Sequence, residues 1–437
     1  MTTLQLYGPI RKNVQHHVRR FLSTAAGDVG LMTLCNLLNN AVSFITSAAI
    51  AAVLTAEEFG VFSVSVNVTM IIFGLSEAGL SLSLVRHYSH EKNSEARRDI
   101  LRTGAILRVT IALLLLTLAL PLGWALSLVL SSDRLIRSEL AIGVIAAGSL
   151  GLWATARATQ QATQNYRQYA LLTFIYGVTR FLIVGVFYLT GMRDAVYYLA
   201  ALYMISPLIT AVGFYRTFHR EYHIAFDVLN IQLVKSLFAY GRWVLASTFL
   251  SPLCYSLPLF LLMSLRGAAD AAPYGLALMF SAVVGPLGDA IGIYLVPKVT
   301  SFSSPQDVRS YIRHVIKFLG AFVALVAVVI SIVSAIYSLL YMNKYPDGLL
   351  ITQLLLGANF LASYGGILNC ITHYFGSPHL NMLANLGKIL MCGGGALILI
   401  PHFGAQGAAL AAAVAAVVGE TGLFFALQYR LSKLKLA

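Results

Sequence analysis

The feature that most limits how this chain can fold is a series of long apolar stretches separated by short polar breaks. A helix needs about 20 apolar residues to cross a hydrocarbon core of about 30 Å. The stretches predict twelve membrane-spanning helices, at 29–54, 61–85, 103–122, 139–156, 170–190, 195–215, 243–264, 274–297, 318–341, 349–373, 380–401 and 405–429. Only 11% of the 437 residues are charged, less than half the share that is usual in soluble domains. The sequence therefore excludes a water-soluble enzyme and indicates an all-α polytopic membrane protein.

Lysine and arginine are distributed unequally between the two ends of these helices. Of the 30 such residues, 22 lie in segments at the end that carries the amino terminus, and five lie at the other end: Arg134, Arg137, Arg193, Arg266 and Lys344. Because positive residues collect on the cytosolic side of a membrane, both termini are expected to be cytosolic. The net charge of +13 is thus explained by topology, and no nucleic-acid partner is expected.

The predicted loops on the opposite side are short, the longest running from about 123 to 138. A membrane-embedded glycan polymerase or ligase would be expected to carry acidic or histidine residues there for acid–base chemistry, so that class of enzyme is disfavoured. The sequence contains no phosphate-binding loop for ATP, and its four cysteines lie singly in apolar runs. We expect no cofactor and no bound metal, and any transport must be secondary or passive.

The pattern of spans predicts two sets of six helices. The second predicted helix contains Gly60 and then Glu77, and the eighth contains Gly275 and then Asp289. A repeat with an even number of helices is parallel and places a substrate site between the halves near the midplane. The predicted organisation is two six-helix lobes: a basic amphipathic cytosolic segment at 1–28, an amino-terminal lobe at 29–218, a cytosolic linker at 219–242, a carboxy-terminal lobe at 243–431 and a cytosolic tail at 432–437.

Four ionisable residues are predicted near the middle of spans, namely Glu77, Arg180, Asp289 and Lys388, so that each half carries one acid and one base. A charge at a helix centre costs roughly 2.5–3.5 kcal/mol on insertion scales, and its presence needs a reason. One interpretation is an ion pair within each half that fixes helix packing. The other is a polar cavity whose cations bind an anionic substrate and whose carboxylates carry a coupling ion or balance charge.

Further polar residues fit the cavity interpretation. Glu420 lies deep in the last predicted span and is a third candidate for ion coupling, while Asn36, Asn39 and Asn40 form a polar stripe on the first span. Four cations are predicted to ring the cytosolic mouth: Arg86, Arg157, Arg242 and Lys298. They would attract a phosphate group, but residues that only set the topology would be expected at the same positions.

Five segments of the sequence resemble polysaccharide-transport flippases of the multidrug/oligosaccharidyl-lipid/polysaccharide exporter superfamily, which include the Wzx-type O-antigen and exopolysaccharide flippases. They are LTAEEFGVF (54–62), EAGLSLSLVR (77–86), RATQQATQNY (157–166), the unit from Tyr274 to Lys298, and FGAQGAALA (403–411). Together they extend over nearly the whole chain.

The resemblance implies two six-helix lobes around a cavity that opens alternately to each side. The implied substrate is an undecaprenyl-pyrophosphate-linked oligosaccharide, flipped from the cytosolic to the periplasmic leaflet of a bacterial inner membrane, with Arg180 and Lys388 facing its pyrophosphate. Implied partners are membrane lipids, a coupling ion that is either a proton or sodium, and a polysaccharide polymerase complex. A multidrug or cation antiporter of the same superfamily is the alternative, because two mid-span cations against two or three carboxylates do not decide the polarity of the cavity.

Overall fold

The computed structural model describes residues 25–77, 79–130, 136–222, 231–284, 305–374 and 379–433, and these are almost entirely helical. Its helices are α1 (Ala25–Val53), α2 (Ala56–Glu77), α3 (Leu80–His90), α4 (Ser94–Leu130), α5 (Ile136–Ala162), α6 (Tyr166–Thr190), α7 (Ala195–Leu199), α8 (Ser206–Tyr222), α9 (Ile231–Arg266), α10 (Ala268–Ser281), α11 (Pro305–Leu340), α12 (Gly348–Tyr374) and α13 (His379–Lys433). A π-helical turn, Ala200–Ile205, joins α7 to α8, and a 3-10 turn, Ala282–Val284, follows α10.

Most of these helices are built to cross a membrane. Within the described ranges, nine are long and apolar enough to do so, and two shorter apolar helices, Pro252–Arg266 and Ala268–Val284, accompany them. Large apolar side chains such as Leu120, Leu189 and Leu339 are more than three-quarters exposed. Such a surface is stable only where the surrounding solvent is lipid, so the chain is a multi-pass membrane protein. The number twelve stays a prediction.

Several helices run beyond the predicted spans. The expected loop from 123 to 138 is wrong, because α4 continues to Leu130 and α5 begins at Ile136. Gly123 packs inside the last two turns of α4, where an added Cβ would lie 2.8 Å from the backbone nitrogen of Ala141 of α5. Hydropathy detects only the part of a helix that faces lipid, and Pro121 lies inside α4 because prolines are tolerated within membrane helices. The same effect extends α9 back to Ile231, into the expected linker.

The two ends of the bundle are defined here by its first turn. The far end is where α1 ends at Val53 and α2 begins at Ala56, and the near end is the opposite one, which the charge distribution predicts to be cytosolic. The amino-terminal lobe comprises α1 to α8 and the carboxy-terminal lobe α9 to α13.

The predicted break after Phe403 is present at Gly404, which interrupts α13 with a φ of +54°. A glycine tolerates this left-handed region because it has no Cβ. The two arms then run back along each other, since a Cβ on Gly395 would contact the Cβ of Ala411 at 3.3 Å. The two arms therefore form an antiparallel hairpin, in which Gly395 faces Ala411 and Leu399 faces Gly407. We call residues 379–403 arm A and residues 405–433 arm B.

The lobes meet in a close crossing of α2 with α10 toward the far end. Gly60 lies against the backbone carbonyl of Ala268, and Gly275 lies against the side chain of Ser63, so closely that a Cβ on either glycine would overlap its neighbour. These are the two glycines that the predicted repeat places in equivalent helices. Around the crossing, buried side chains of both lobes form one core that includes Phe59 of α2.

Two of the five cations expected on the far side cap the carboxyl ends of helices there. Lys344, between α11 and α12, donates from Nζ to the carbonyl oxygens of Ala51 (2.8 Å), Ala52 (3.4 Å) and Leu54 at the end of α1. Arg266 donates in the same way to Ile400 (3.4 Å) and Pro401 (2.5 Å), which end arm A. The carbonyls of a last helical turn lack backbone partners and carry partial negative charge, so a cation there is stabilising. Burial lowers the pKa of Lys344.

Candidate functional site

The candidate site is a stack of aromatic rings and guanidinium groups inside the amino-terminal lobe, which we call the stacked ladder. Its members come from α5, α6 and the π-helical turn. Their order in the stack is Tyr169, Arg157, Trp153, Tyr176, Arg180, Tyr203. The guanidinium of Arg157 lies 4.4 Å from the ring centre of Tyr169 and 4.5 Å from that of Trp153. The rings of Trp153 and Tyr176 are 4.5 Å apart, and Arg180 lies 5.0 Å from Tyr176 and 5.5 Å from Tyr203.

Helical spacing explains why these residues meet. Trp153 and Arg157 are four residues apart on α5, as are Tyr176 and Arg180 on α6, so each pair shares one helix face. A cation over an aromatic face is attracted by the ring quadrupole, most strongly where water is excluded. The ladder thus holds two guanidinium groups inside the lobe by ring stacking.

The π-helical turn supplies the last ring of the ladder. Tyr203 lies within Ala200–Ile205, and the Tyr176 hydroxyl donates to the carbonyl oxygen of Leu202 at 3.2 Å. The Ser206 hydroxyl donates to the carbonyl oxygen of Ala201 at 2.7 Å, which satisfies a carbonyl in the widened turn. Turns of this kind are frequent at functional sites because they re-aim a side chain.

The polar stripe of α1 faces the ladder. Arg157 donates to Asn36 Oδ1 at 3.4 Å and to the Tyr169 hydroxyl, while Arg180 donates to Ser43 Oγ at 2.8 Å. Asn39 packs against α6, where a Cβ on Gly177 would lie 3.0 Å from Asn39 Oδ1. Asn40 is exposed on another face of α1. The two arginines therefore reach α1 seven residues apart, or about 10 Å along its axis.

The site contains buried polar atoms that have no partner. Arg180 is 5% exposed, yet its Nε makes no hydrogen bond, and the same holds for Arg157 Nε, Asn39 Oδ1 and both side-chain polar atoms of Gln160. Within the parts of the chain that the structure covers, neither arginine has a carboxylate partner. Buried polar groups are normally satisfied by protein, water or ligand. The arrangement can therefore offer N–H donors and positive charge to an anion.

Lys388 is arranged differently, because it pairs with Glu420. The ammonium on arm A contacts Glu420 Oε1 on arm B, and the lysine side chain lies against Gly419. The second carboxylate oxygen lies against Gly365 of α12 and is buried without a partner. The charges of the pair cancel, so Lys388 is not an available cation like the two arginines of the ladder.

Glu77 pairs with Arg108, which is not among the site residues predicted from the sequence. Arg108 on α4 is 2% exposed and also donates to Thr155 Oγ1 and to the carbonyl oxygen of Ser76, both at 3.0 Å. The other oxygen of Glu77 accepts from the backbone N–H of Ser81 at 2.8 Å, which caps the first turn of α3 after the break at Gly79. Each lobe therefore contains an ion pair, but the pairs differ from those expected: Glu77 pairs with Arg108 and not with Arg180, and Lys388 pairs with Glu420, while Asp289 lies outside the described residues.

The remaining predicted site residues lie either away from the ladder or outside the part of the chain that the structure describes. Arg86 is exposed at the near end and lines a cavity of about 440 Å³ with His87, His90, Glu91 and Asp99. Arg157, which was expected in the same ring at the mouth, instead belongs to the ladder. Asp289, Lys298 and the side chain of Arg242 lie outside the described residues.

Comparison with known proteins gives one family match. The family described as polysaccharide biosynthesis protein matches residues 25–288. A search of curated protein sequences found no match.

Three solved structures are similar to this chain in fold. An inward-facing multidrug resistance MATE family transporter of the MOP superfamily aligns with a TM-score of 0.74 at 13% identity over 91% of this chain and 96% of that chain. The lipid II flippase MurJ, in an inward closed conformation, aligns with a TM-score of 0.70 at 13% identity over 91% and 87%. An outward-facing MATE transporter gives 0.63 at 14% identity over 96% and 98%. These similarities establish the two-lobe fold of that superfamily.

Proposed function

This chain belongs to the polysaccharide biosynthesis protein family, and from that premise we propose that it flips a lipid-linked oligosaccharide across a membrane. The proposed substrate is an undecaprenyl-pyrophosphate-linked repeat unit, moved from the cytosolic to the periplasmic leaflet of a bacterial inner membrane. The proposal is supported by one observation above the others: the amino-terminal lobe holds a buried arginine, Arg180, and a partly buried one, Arg157, and neither has a carboxylate partner among the residues that the structure describes.

The charge of the ladder favours an anionic substrate over a cationic one. A guanidinium group presents several N–H donors in a plane and binds phosphate oxygens in pairs. A cationic drug in the same place would meet two positive charges in a medium of low dielectric, where repulsion is strong. The antiporter alternative therefore requires a binding site elsewhere in the chain.

The packing of the lobes suits alternating access. The crossing of α2 with α10 closes the far end, and Lys344 joins the carboxy-terminal lobe to the end of α1. In our proposal the substrate enters from the near end, its pyrophosphate binds the ladder, and the prenyl chain stays in lipid. Opening to the other side then requires these far-end contacts to separate while contacts at the near end form.

A gradient of protons or sodium would drive this cycle in one direction. Two of the three carboxylates considered for coupling lie in the described residues, and among these residues Glu420 has a buried oxygen without a partner, whereas both oxygens of Glu77 are engaged, one by Arg108 and one by the cap of α3. We therefore favour Glu420, with Lys388 beside it, as the group whose charge state changes during transport.

The test is flipping of a lipid-linked oligosaccharide in proteoliposomes, scored with a glycan-binding probe that detects only the outer leaflet. We expect Arg180→Ala to reduce the rate at least ten-fold while the protein stays folded in the membrane. Lys235→Ala, which removes an exposed cation at the near end of α9, is the matched control and should flip normally.

Three results would contradict the proposal. Equal rates for the wild type and Arg180→Ala would remove the arginine from the transport path. Efflux of a cationic dye without any flipping would identify an antiporter. Sugar transfer by the purified protein would identify a polymerase or ligase.

A further inference from the structure

The stacked ladder contains two cations, Arg157 and Arg180, that contact different parts of α1. The guanidinium of Arg157 contacts α1 at Asn36 and that of Arg180 contacts it at Ser43, about 10 Å apart along the helix. Two aromatic rings, Trp153 and Tyr176, lie between them in the stack. The phosphorus atoms of a pyrophosphate share one bridging oxygen, so one pyrophosphate fits closely against one guanidinium at a time, whereas contact with both would require it to extend past the two rings.

We propose that the ladder is a two-station site, in which one pyrophosphate binds first at Arg157 and then at Arg180. This inference rests on the proposed function and adds how the anionic group travels through the amino-terminal lobe. Station one comprises Arg157 and Asn36, on the side of the near end. Station two comprises Arg180 and Ser43, about two helical turns deeper.

The unpartnered atoms support two stations. Among the residues that the structure describes, the Nε of each arginine is buried and has no hydrogen-bond partner, so each arginine has one N–H donor that a ligand can use. Asn39 lies on α1 between the two contact points, and its Oδ1 is also unpartnered. Because this oxygen only accepts hydrogen bonds, it is matched to a sugar hydroxyl or a bridging water, whereas it would repel the phosphate oxygens themselves.

The rings between the stations have a defined role as positioning residues. A guanidinium that stacks on rings keeps its full positive charge, whereas one that is paired with a carboxylate is neutralised. Trp153 contacts both Arg157 and Tyr176. Replacement of Trp153 by Leu should release Arg157 and lower the flipping rate in proteoliposomes, and Trp153→Phe should restore most of that rate.

The position of Trp153 makes the two stations separately measurable. The chain has three tryptophans, and Trp124→Phe with Trp243→Phe leaves Trp153 as the only emitter. Trp124 is exposed on α4, away from the ladder. Undecaprenyl diphosphate in detergent is the probe, and undecaprenol, which lacks the diphosphate, is its control. Trp153 fluorescence reports occupancy of station one, and the proteoliposome assay reports the complete passage.

The two stations predict different effects for the two arginines. Arg157→Met should weaken the fluorescence-detected Kd about 10- to 100-fold, the range expected when charged hydrogen bonds are lost. Arg180→Met should leave that Kd within about three-fold of the parent and yet lower flipping at least ten-fold. Arg157→Lys and Arg180→Lys, which keep the charge without the planar stack, are second variants that retain folding if the methionine variants do not.

Each outcome has a definite meaning. Equal loss of binding in both arginine variants would show one shared site and overturn the two-station proposal. Flipping by the wild type without any response of Trp153 to the diphosphate would also overturn it, while the proposed function would stand. A saturable response at Trp153 in a protein that flips no oligosaccharide would instead refute the proposed function.

Discussion

The buried pair of Glu77 and Arg108 gives the sharpest test of how charges inside the amino-terminal lobe are used. We interpret it as a structural pair that fixes α2, α3 and α4 against one another. The side chain of Arg108 is 2% exposed and that of Glu77 is 20% exposed. Breaking a buried pair by removing one partner typically costs about 3–5 kcal/mol, because the other charge is left uncompensated.

The two single variants should differ in cost. Glu77→Ala leaves a fully buried guanidinium and also removes the cap of α3, so we expect a loss at the upper end of that range plus about 1 kcal/mol for the cap. Arg108→Met keeps most of the side-chain volume and leaves a carboxylate that water can reach, so we expect about 2–3 kcal/mol. The double variant should cost less than the sum by about 2 kcal/mol or more.

The assay is reversible unfolding in mixed micelles with increasing SDS, applied to the wild type, both single variants and the double variant. Costs that add to within about 0.5 kcal/mol would show that the two side chains do not interact and would refute the pairing. Glu77→Gln, which keeps a hydrogen-bonding oxygen, should flip oligosaccharide with an unchanged gradient dependence per folded molecule. Loss of gradient dependence in a well-folded Glu77→Gln protein would refute the structural role and make Glu77 a coupling residue.

Three further predictions concern contacts between helices. Lys388→Met should destabilise the protein by about 3–5 kcal/mol in the same unfolding assay, and the added change Glu420→Gln should recover part of that loss; no recovery would contradict the pair. The side chain of Gly60→Val should overlap the carbonyl of Ala268. It should therefore increase the labelling, by an aqueous maleimide, of a cysteine introduced at the far end, and unchanged labelling would argue against a closed far end. Lys344→Met should remove the cap at the end of α1 and raise the same labelling, whereas Lys344→Arg should keep it low.

The sequence predicts the helices well because the membrane imposes a simple length rule. Each apolar run that falls in the described residues lies in a helix, and the break expected between the spans 380–401 and 405–429 is present at Gly404. Helix ends are predicted poorly, as α4 and α9 show, because hydropathy does not report how far a helix continues beyond lipid.

The candidate site could be predicted only in part. Arg180 and the stripe of Asn36 and Asn39 stand out because polar residues are costly inside spans. Arg108 lies six residues inside a predicted span and carries the same signal, but it was overlooked beside the mid-span charges. The partner of each charged residue cannot be predicted from the sequence, since Glu77 and Arg108 are 31 residues apart and their contact depends on helix packing.

The aromatic part of the ladder leaves no trace in a hydropathy pattern. Trp153 and Tyr176 count as apolar residues in apolar runs, where most rings face lipid or core. Their four-residue spacing from Arg157 and Arg180 is a usable signal, because each arginine then shares a helix face with a ring. The order of the stack across three elements still requires the tertiary structure.

The hairpin of α13 has a consequence for how the protein is made. Arm A carries Lys388 and arm B carries Glu420, so either arm inserted alone would expose one charge to lipid at a cost of roughly 2.5–3.5 kcal/mol. If both arms enter the bilayer as one unit, the two charges neutralise each other on the way in. Biogenesis of the last two spans is therefore coupled, and a ribosome stalled between the arms should leave arm A outside the membrane until Glu420 has been synthesised.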